Sequence, residues 1–352
     1  MTLHQSTLRR ADHEDHDASV LLARARRHVD PVLRAAVDTL PPAMRRVTAY
    51  HLGWQHADGT TATGADPGKA IRPALVLAAT RAFGATPAAA ARAAAAVELV
   101  HNFSLLHDDV MDRDTTRRHR PTAWTVFGAA DAILAGDAVH ALALRLLADD
   151  RHRAAPHAAA RLAACVIELC EGQHADCSFE TRDHVSIDEC MRMALGKTGA
   201  LLGATCAIGA LYAAADRDAV EAMDAFGREV GLAFQLVDDL IGIWGDPEVT
   251  GKPAGADLAA RKKSLPVVAA LAAGGPAARE LAALYRSADP MDPHQIQAAA
   301  DAVDRAGGRV WAHLQAADHM SAAIDHLTRA APDAESAEDL LTLAELVTRR
   351  ER

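Results

Sequence analysis

The hydrophobic residues of this chain recur with the spacing of α-helices from about residue 18 onward. Thr86 and Pro87 predict the N-cap and the first position of a long helix that ends near residue 112. The sequence SIDE at 186–189 predicts a capping box and a second long helix that ends near residue 215. A third is predicted over about 217–245, and no stretch alternates with the period of a strand. We therefore predict an all-α bundle of ten or more helices.

Three predicted loops combine charge with glycine, at residues 59–73, 113–122 and 245–264. No shift in composition divides the chain between them. Residues 1–18 are polar and rich in histidine, and we expect a disordered, solvated tail there. Residues 19–352 are predicted to form a single all-α domain.

Composition narrows the class of protein. Half of the residues are hydrophobic, but only 4% are aromatic, and alanine dominates, which favours closely packed helices. The net charge of −10 argues against general nucleic-acid binding, because a phosphate backbone requires a basic surface. Any anionic ligand must therefore be bound by a few local cations.

The cysteines and the apolar segments indicate a cytoplasmic protein without a membrane span. The five cysteines contain no CxxC pair, so we expect reduced thiols and neither a disulfide framework nor a zinc site. The N-terminus lacks the apolar core of a secretory signal. Residues 199–215 are just under spanning length and rich in Gly and Ala, so we predict a buried helix.

Three aspartates lie close together in the sequence DDVMD, at the end of the first predicted long helix. Asp108 and Asp112 are four residues apart and share one helix face, whereas Asp109 lies about 100° away. Two such carboxylates repel each other unless a cation lies between them. Acids near a helix C-terminus are also opposed by the helix dipole. Oxygen ligands of this kind suit Mg²⁺, which takes its other ligands from water and phosphate.

A second pair, Asp238 and Asp239, follows an apolar run in the third predicted long helix. If the two helices faced each other, they would define an acidic cleft of the kind that binds metals in helical bundles. Basic residues lie downstream of both pairs and in the first loop: Lys69, Arg72, Arg117, Arg118, Lys197, Lys252, Lys262 and Lys263. Arginine and lysine beside carboxylates that suit Mg²⁺ indicate a diphosphate site. No Walker P-loop occurs, so ATP is not indicated.

The ordered set of motifs DDVMD, RR, GKAIRP, GKT and FQLVDD resembles that of the trans-polyprenyl diphosphate synthases. Within this family the chain is most similar to bacterial enzymes of the geranylgeranyl diphosphate synthase type, from about residue 20 to the C-terminus. The resemblance implies an isoprenoid-synthase fold around a deep central cavity, a homodimer, and three Mg²⁺ ions. It also implies that isopentenyl diphosphate condenses with an allylic diphosphate such as the dimethylallyl, geranyl or farnesyl compound.

The resemblance also implies residue roles. Asp108 and Asp112, supported by Asp109, would bind two Mg²⁺ ions, and Asp238 would bind the third, with Asp239 behind it. The allylic diphosphate would be bound by Arg117, Lys197, Lys252 and Lys262. Isopentenyl diphosphate would be bound by Lys69, Arg72, His101 and Arg118. Thr198 and Gln235 would lie near the developing carbocation.

Four positions depart from the family pattern. Gly242 stands where many relatives have a third aspartate, and His119 and Arg261 stand where glycine is usual. The motif PGKAIRP lacks a doubled glycine. We expect activity to survive, because in this family the first aspartate of the second motif makes the main contribution to metal binding.

Product length is expected to depend on Phe103 and Ser104, about one helical turn before Asp108. In similar enzymes an aromatic residue here accompanies a twenty-carbon product. We therefore predict geranylgeranyl diphosphate as the product, with farnesyl diphosphate as the next choice, although Phe103 could equally be an ordinary core residue.

Two other functions are consistent with an aspartate-rich motif. A class I terpene cyclase usually has a second motif of the form NxxxSxxxE, which is absent near FQLVDDLIGIWGD. A catalytically silent subunit of a heteromeric synthase typically loses aspartates from a motif, whereas here all five remain. Both alternatives are less favoured than a synthase.

Overall fold

The structure is a computed structural model that describes residues 17–62, 68–247, 254–287, 289–330 and 334–348. Within these residues the chain is almost entirely helical, which confirms the predicted all-α class. The first helices are α1 (Ala18–Val37), α2 (Pro42–His51), α3 (Ile71–Ala82), α4 (Ala91–Met111), α5 (Ala123–Phe127), α6 (Ala129–Ala148), α7 (Ala155–Phe179) and α8 (Ile187–Ala194). The next are α9 (Ala200–Tyr212), α10 (Arg217–Trp244), α11 (Ala256–Ala259), α12 (Leu265–Ala273), α13 (Gly275–Arg286), α14 (Pro293–Arg305), α15 (Gly308–Ala330) and α16 (Ala334–Thr348).

The predicted helix starts are confirmed in one case and corrected in another. The side chains of Ser186 and Glu189 form the predicted capping box of α8. Pro87, by contrast, opens a 3₁₀ turn (Pro87–Ala90), and α4 begins only at Ala91. Thr86 makes no side-chain cap hydrogen bond. Helix α1 begins at Ala18, capped by the side chain of Asp17, and residues 1–16 of the predicted tail lie outside the described residues.

The predicted helix over 187–215 is interrupted. Its α-helical ladder widens into a π-turn at Leu195–Gly199, and α9 follows and ends at Tyr212. A π-turn accommodates one extra residue and is frequent at functional sites. The interruption carries Lys197 and Thr198, two of the predicted site residues.

A small β-hairpin was not predicted. Thr116–Arg117 (β1) and Arg120–Pro121 (β2) pair antiparallel, with Arg117 opposite Arg120. Arg118 and His119 form the two-residue turn and both have positive φ, 50° and 59°. Positive φ at both central residues is the signature of a type I′ hairpin turn. Two-residue strands are too short to show an alternating pattern, so the sequence carried no strand signal here.

The chain divides into two compact units, each made of separated segments. The first unit comprises Met1–Val166, Ala204–Asp224 and His326–Ala344. The second comprises Ile167–Gly203, Ala225–Asp325 and Glu345–Arg352. Because the segments interleave, neither unit is a contiguous sequence domain. The single domain over 19–352 therefore stays a prediction.

Small residues allow the close helix packing that the composition predicts. In the first unit, residues 93–96 of α4 are all alanines and are fully buried. A Cβ at Gly209 of α9 would lie 2.4 Å from the carbonyl oxygen of Val76 in α3, so only glycine permits this contact. The core of the second unit includes Cys190, Leu236 and Leu265.

The longest apolar segment lies mostly in the protein interior. Ile187–Tyr212 is long and apolar enough to cross a membrane by length and composition, but 78% of its most apolar window is buried inside the protein. A core helix passes the same criterion. None of the five cysteines, all of which are described, forms a disulfide.

Candidate active site

The first aspartate motif lies at the C-terminal end of α4. Asp108 and Asp109 are in its last turn, and Asp112 is its C-cap, whose N–H donates to the carbonyl of Asp108 at 2.8 Å. Asp109 is only 2% exposed, whereas Asp108 and Asp112 are partly exposed. The motif thus presents two accessible carboxylates beside one buried carboxylate.

Asp109 positions Arg117 through a forked ion pair. Nε and Nη2 of Arg117 donate to Oδ1 of Asp109 at 2.8 and 2.7 Å. The other oxygen, Oδ2, is buried and has no hydrogen-bond partner among the described residues. Burial raises the pKa of Asp109, partly offset by the hydrogen bond and charge of Arg117. The β-hairpin therefore delivers Arg117 to the aspartate motif.

The same hairpin brings Arg118 to the GKAIRP segment. A Cβ at Gly68 would lie 2.6 Å from Nη2 of Arg118, so glycine allows the guanidinium to lie against the backbone. Arg26 of α1 also donates to the carbonyl of Gly68. Lys69 and Arg72 follow, with Arg72 in the first turn of α3. The structure thus brings together the predicted cations of two separate loops.

A buried polar group lies behind these cations and was missed in the sequence. Glu98 of α4 is buried, and its side chain and carbonyl both accept from Nδ2 of Asn102, at 3.1 and 2.8 Å. Burial raises the pKa of Glu98, while Arg72, Arg118 and Arg26 act in the opposite direction. Glu98 is therefore a buried counter-charge for predicted substrate-binding arginines. A lone acid in an alanine-rich helix was the only available signal.

Two histidines in this region are uncharged at neutral pH. Burial, followed by the positive charges of Arg72 and Arg118, lowers the pKa of His101 well below its usual range. Burial and the arginines of the hairpin lower the pKa of His51 to about 3. His51, which was not predicted, lines a pocket with Asp109 and Arg117. The positive charge of this pocket therefore comes from arginine alone among the pocket-lining residues that the structure describes.

Phe103, the first of the two predicted chain-length residues, belongs to a cluster of three rings. Phe103 is 7% exposed, and its ring centroid lies 4.9 Å from that of His107 and 4.9 Å from that of His140 in α6. Ser104 is buried and donates to the carbonyl of His101 at 2.9 Å. His140 was missed, because its place opposite Phe103 depends on how α6 packs against α4.

In the second unit, the π-turn presents Lys197 and Thr198. Nζ of Lys197 forms an ion pair with Asp176 of α7 at 2.6 Å. A Cβ at Gly172 of α7 would lie 2.3 Å from the backbone nitrogen of Lys197, so the two backbones are in direct contact. The π-turn is therefore held against α7 by a glycine that tolerates no side chain without a shift.

A chain of hydrogen bonds links Thr198 to the second aspartate motif. Thr198 donates to Oε1 of Gln235 at 2.6 Å, and Nε2 of Gln235 donates to Oδ1 of Asp239 at 2.8 Å. Oδ2 of Asp239 accepts from the backbone N–H of Leu265 at 2.8 Å. Burial raises the pKa of Asp239 to about 7, and Asp257 and Asp238 add to the increase. Asp238, in contrast, is exposed.

In the lysine-rich loop, residues 261–263 make hydrogen bonds within the protein. Lys263 donates to the carbonyl of Phe179 at 2.7 Å, and Arg261 donates to the carbonyl of Leu284 at 3.3 Å. The backbone of Lys262 donates to the carbonyl of Asp257 and accepts from Tyr285. Lys252 lies outside the described residues.

Comparison with known proteins identifies the family. The model of the polyprenyl synthetase family matches residues 60–303. The chain belongs to the polyprenyl synthetase family. It is 50% identical over 332 residues to a geranylgeranyl diphosphate synthase of Mycobacterium tuberculosis, covering 94% of this chain and 93% of the relative. It is 47% identical over 337 residues, with the same coverage, to a (2E,6E)-farnesyl diphosphate synthase of the same species. A crystal structure of a polyprenyl synthetase from Streptomyces coelicolor A3(2) superposes with a TM-score of 0.90 at 46% identity, covering 94% of this chain and 99% of that chain.

This polyprenyl synthetase is accordingly a trans-prenyltransferase that acts on isoprenoid diphosphates. Neither the terpene cyclase nor the silent subunit is supported by these relatives, because both named enzymes are prenyl diphosphate synthases. The relatives include a farnesyl and a geranylgeranyl enzyme at similar identity, so similarity alone does not select the product.

The donor groups of both motifs fit Mg²⁺. The unpartnered, buried Oδ2 of Asp109 is a donor atom that a cation would satisfy. Carboxylate oxygens are the only protein ligands in either motif, as Mg²⁺ prefers. No three His, Cys, Asp or Glu side chains within the described ranges already form a metal cage. Mg²⁺ usually takes only one or two carboxylates from the protein and completes its shell with water and substrate phosphate.

Proposed function

We propose that this synthetase is Mg²⁺-dependent and condenses isopentenyl diphosphate with an allylic diphosphate (the dimethylallyl, geranyl or farnesyl compound). Geranylgeranyl diphosphate is the proposed product, and farnesyl diphosphate is the second candidate. The observation that carries the proposal is the pairing of a carboxylate motif with fixed cations: Asp109 holds Arg117, and Arg118 lies against the GKAIRP segment.

The aspartates would hold three metal ions. Asp108 and Asp112, with Asp109, would bind two, and Asp238, with Asp239 behind it, would bind the third. Bound there, Mg²⁺ would neutralise the charge of the departing diphosphate. The carboxyl group of Asp239 accepts one hydrogen bond from Gln235 and one from the backbone N–H of Leu265, so it is held in one orientation on α10.

The cations would divide between the two diphosphates. Arg117, Lys197, Lys252 and Lys262 would bind the allylic diphosphate, and Lys69, Arg72, His101 and Arg118 would bind isopentenyl diphosphate. Arginine suits this task because its guanidinium makes forked contacts with phosphate oxygens. An uncharged His101 would contribute a hydrogen bond without adding positive charge.

The remaining polar groups would serve the carbocation. The hydroxyl of Thr198 donates a hydrogen bond to Oε1 of Gln235, so the lone pairs of the hydroxyl oxygen are left to face a developing positive charge. A dedicated side-chain base is unnecessary, because the released diphosphate can accept the proton that the condensation releases. Apolar walls would keep water away from the cation.

The product length is proposed from the ring cluster around Phe103. Phe103, which stacks on His140 and meets His107 edge to face, would form the floor that stops elongation after twenty carbons. Ser104 is the next residue, and its hydroxyl donates to the carbonyl of His101 in the same helix. A homodimer in the cytoplasm is proposed on the same family resemblance.

A chain-elongation assay tests the proposal. The purified protein is incubated with Mg²⁺ and labelled isopentenyl diphosphate, with each allylic diphosphate in a separate reaction, and the products are dephosphorylated and sized. We expect label in a twenty-carbon alcohol and none after chelation of Mg²⁺. A hydrocarbon formed from geranylgeranyl diphosphate alone, without incorporation of label, would show that the aspartates serve cyclisation instead.

A further inference from the structure

Arg120 connects the β-hairpin to the end of α2. Its Nη1 donates to the carbonyl of Tyr50 at 3.0 Å, and its Nη2 donates to the carbonyl of Gln55 at 3.1 Å. The guanidinium also lies over the ring of Tyr50, with Cζ 4.4 Å from the ring centroid. Arg120 lines the same pocket as Arg117 and Arg118, but both of its terminal nitrogens are bonded to backbone carbonyls. It therefore joins two parts of the protein, whereas its two neighbours are proposed to bind diphosphate.

Tyr50 completes the connection from the opposite side. It is buried in α2, and its hydroxyl donates to the carbonyl of Pro121 in β2 at 2.8 Å. Arg120 thus bonds to the backbone at the end of α2, while Tyr50 bonds to the backbone of the hairpin. Together the two residues form the Arg120–Tyr50 clamp. A two-stranded hairpin is at best marginally stable alone, so this short hairpin requires such outside contacts to keep its position.

The clamp bears unequally on the two arginines of the hairpin. Arg117 is paired with Asp109, which lies on the helix that leads into the hairpin along the chain. Arg118, in the turn, lies against Gly68, on the segment between α2 and α3. Arg120 joins the hairpin to this same side of the site, because it bonds to the end of α2 and to the residues just after it. The position of Arg118 against the GKAIRP segment therefore depends on the clamp more than the position of Arg117 does.

We propose that Arg120 and Tyr50 are positioning residues for isopentenyl diphosphate, which hold Arg118 against the GKAIRP segment. The proposal rests on the proposed function, since it takes Arg118 and the cations of that segment as the isopentenyl diphosphate site. It goes further, because neither clamp residue is itself a proposed substrate ligand. It predicts that loss of the clamp weakens the binding of isopentenyl diphosphate and largely spares the allylic diphosphate. A purely structural role would lower stability without separating the two substrates.

Isothermal titration calorimetry on the full-length protein tests the proposal. Isopentenyl diphosphate alone, and an allylic S-thiolodiphosphate that resists ionisation, are each titrated in the presence of Mg²⁺. The clamp variants are Arg120→Ala, Arg120→Lys and Tyr50→Phe, and circular dichroism confirms that each is folded. Arg46→Ala is the matched control, because Arg46 of α2 also donates to a backbone carbonyl, that of Ala57, and also lies over an aromatic ring, that of Phe127.

We expect Arg120→Ala to weaken the binding of isopentenyl diphosphate by about tenfold or more, and that of the allylic analogue by less than about threefold, because only one cation site is displaced. Arg120→Lys should lose nearly as much, since an ammonium is a point charge that cannot span two carbonyls as a guanidinium does. Tyr50→Phe keeps the ring under the guanidinium and should show a smaller loss in the same direction. Arg46→Ala should bind both ligands as the wild type does.

Four results would overturn the proposal. The first is wild-type affinity for isopentenyl diphosphate in Arg120→Ala, and the second is an equal loss for both ligands. The third is wild-type affinity in Arg120→Lys, which would assign the effect to charge and not to the two hydrogen bonds. The fourth is a loss in Arg46→Ala as large as that in Arg120→Ala. If Arg120→Ala does not fold, Tyr50→Phe decides, and an unchanged affinity for isopentenyl diphosphate there refutes the clamp.

The elongation assay separates this proposal from the proposed function. If the wild type elongates prenyl chains but the clamp variants bind isopentenyl diphosphate normally, only the role of the clamp fails. If the wild type elongates no chain, the proposed function fails and this proposal fails with it.

Discussion

The backbone at His119 and Arg261 has positive φ, 59° and 51°. These are two of the positions at which the sequence resemblance implies glycine. The left-handed conformation costs a residue with a Cβ roughly 1–2 kcal/mol. Arg261 recovers part of this cost through hydrogen bonds to two backbone carbonyls, those of Leu284 and Asp289. His119 is exposed in the hairpin turn, and its side chain makes no such hydrogen bond to the described residues.

His119→Gly should therefore stabilise the protein. We expect the free energy of unfolding to rise by about 0.5–1 kcal/mol, since relief of strain is partly offset by the greater entropy of glycine in the unfolded chain. Urea denaturation measures the change. Arg261→Gly is the matched comparison and should gain less, because it also loses two hydrogen bonds. An equal gain at both positions would show that the two hydrogen bonds of Arg261 do not offset its backbone strain.

Asp239 predicts a pH dependence whose sign follows from its raised pKa. Burial raises the pKa of this carboxyl group from 3.8 to about 7. Between these values the folded state retains a proton that the unfolded state has lost. The free energy of unfolding should then fall as pH rises from about 4 to about 7 and be level above that, by as much as a few kcal/mol at ~1.4 kcal/mol per pKa unit.

The comparison is between wild type and Asp239→Asn, without divalent metal. Asparagine does not titrate, so the variant should show a shallower fall across this window, whatever its absolute stability. Urea denaturation across the window gives both slopes. Parallel curves for the two proteins would contradict the assignment of this titration to Asp239.

At the scale of elements, the π-turn is the feature that places Lys197 and Thr198. It interrupts a helix that the apolar pattern predicts to be continuous, and it is held by backbone contact between Gly172 of α7 and the nitrogen of Lys197. Gly196 faces the carbonyl of Glu168 in the same way, with a would-be Cβ at 2.9 Å. Two glycines on facing segments therefore determine the position of two proposed active-site residues.

Gly172→Ala should separate the π-turn from α7. The new Cβ meets backbone, which cannot rotate away, so we expect a loss of about 1–3 kcal/mol in the free energy of unfolding. Displacement of Lys197 and Thr198 should lower kcat/KM by about 10- to 100-fold. Steady-state kinetics and urea denaturation measure the two effects. Glu171→Ala, at the adjacent exposed position, is the control and should change neither; normal activity in Gly172→Ala would contradict the placement role.

Helix α4 carries both the first aspartate motif and the proposed cavity floor. Phe103→Ala removes one ring from the three-ring cluster, so we expect products longer than twenty carbons, sized after dephosphorylation. Leu106→Ala is the control, because Leu106 packs in a different cluster with Val47 and Tyr50. It should cost about 2–5 kcal/mol of stability without changing product length. An unchanged product distribution in Phe103→Ala would show that Phe103 is ordinary core.

At the scale of the whole molecule, the proposed homodimer needs an exposed apolar face. Ile133 and Leu134 of α6 are 40% and 53% exposed, which is unusual for large hydrophobic side chains close together on one helix. Val310 and Leu314 of α15, four residues apart, are 59% and 60% exposed. We expect the interface on α6, and the exposed face of α15 is the alternative.

Leu134→Glu should dissociate the dimer by placing a charge in an apolar interface. Sedimentation of the wild type is expected at twice the chain mass of 37.2 kDa, and of Leu134→Glu at the chain mass itself. Val310→Glu is the control and should remain dimeric. A dimeric Leu134→Glu with a monomeric Val310→Glu would move the interface to α15, and a monomeric wild type would refute the homodimer.

The sequence by itself determined the all-α class, the bounds of the helix at Arg217–Trp244, the family, and the positions of the aspartate and basic motifs. These features depend on neighbours in the chain: the period of apolar residues, the Ser186–Glu189 cap, and aspartates one helical turn apart. Only the tertiary structure revealed the π-turn, the positive φ of His119, the burial of Glu98 and Asp239, and the approach of Arg118 to Gly68. Each of these arises where segments distant in sequence come into contact, and no local pattern records which side chain will fill the space that a glycine leaves.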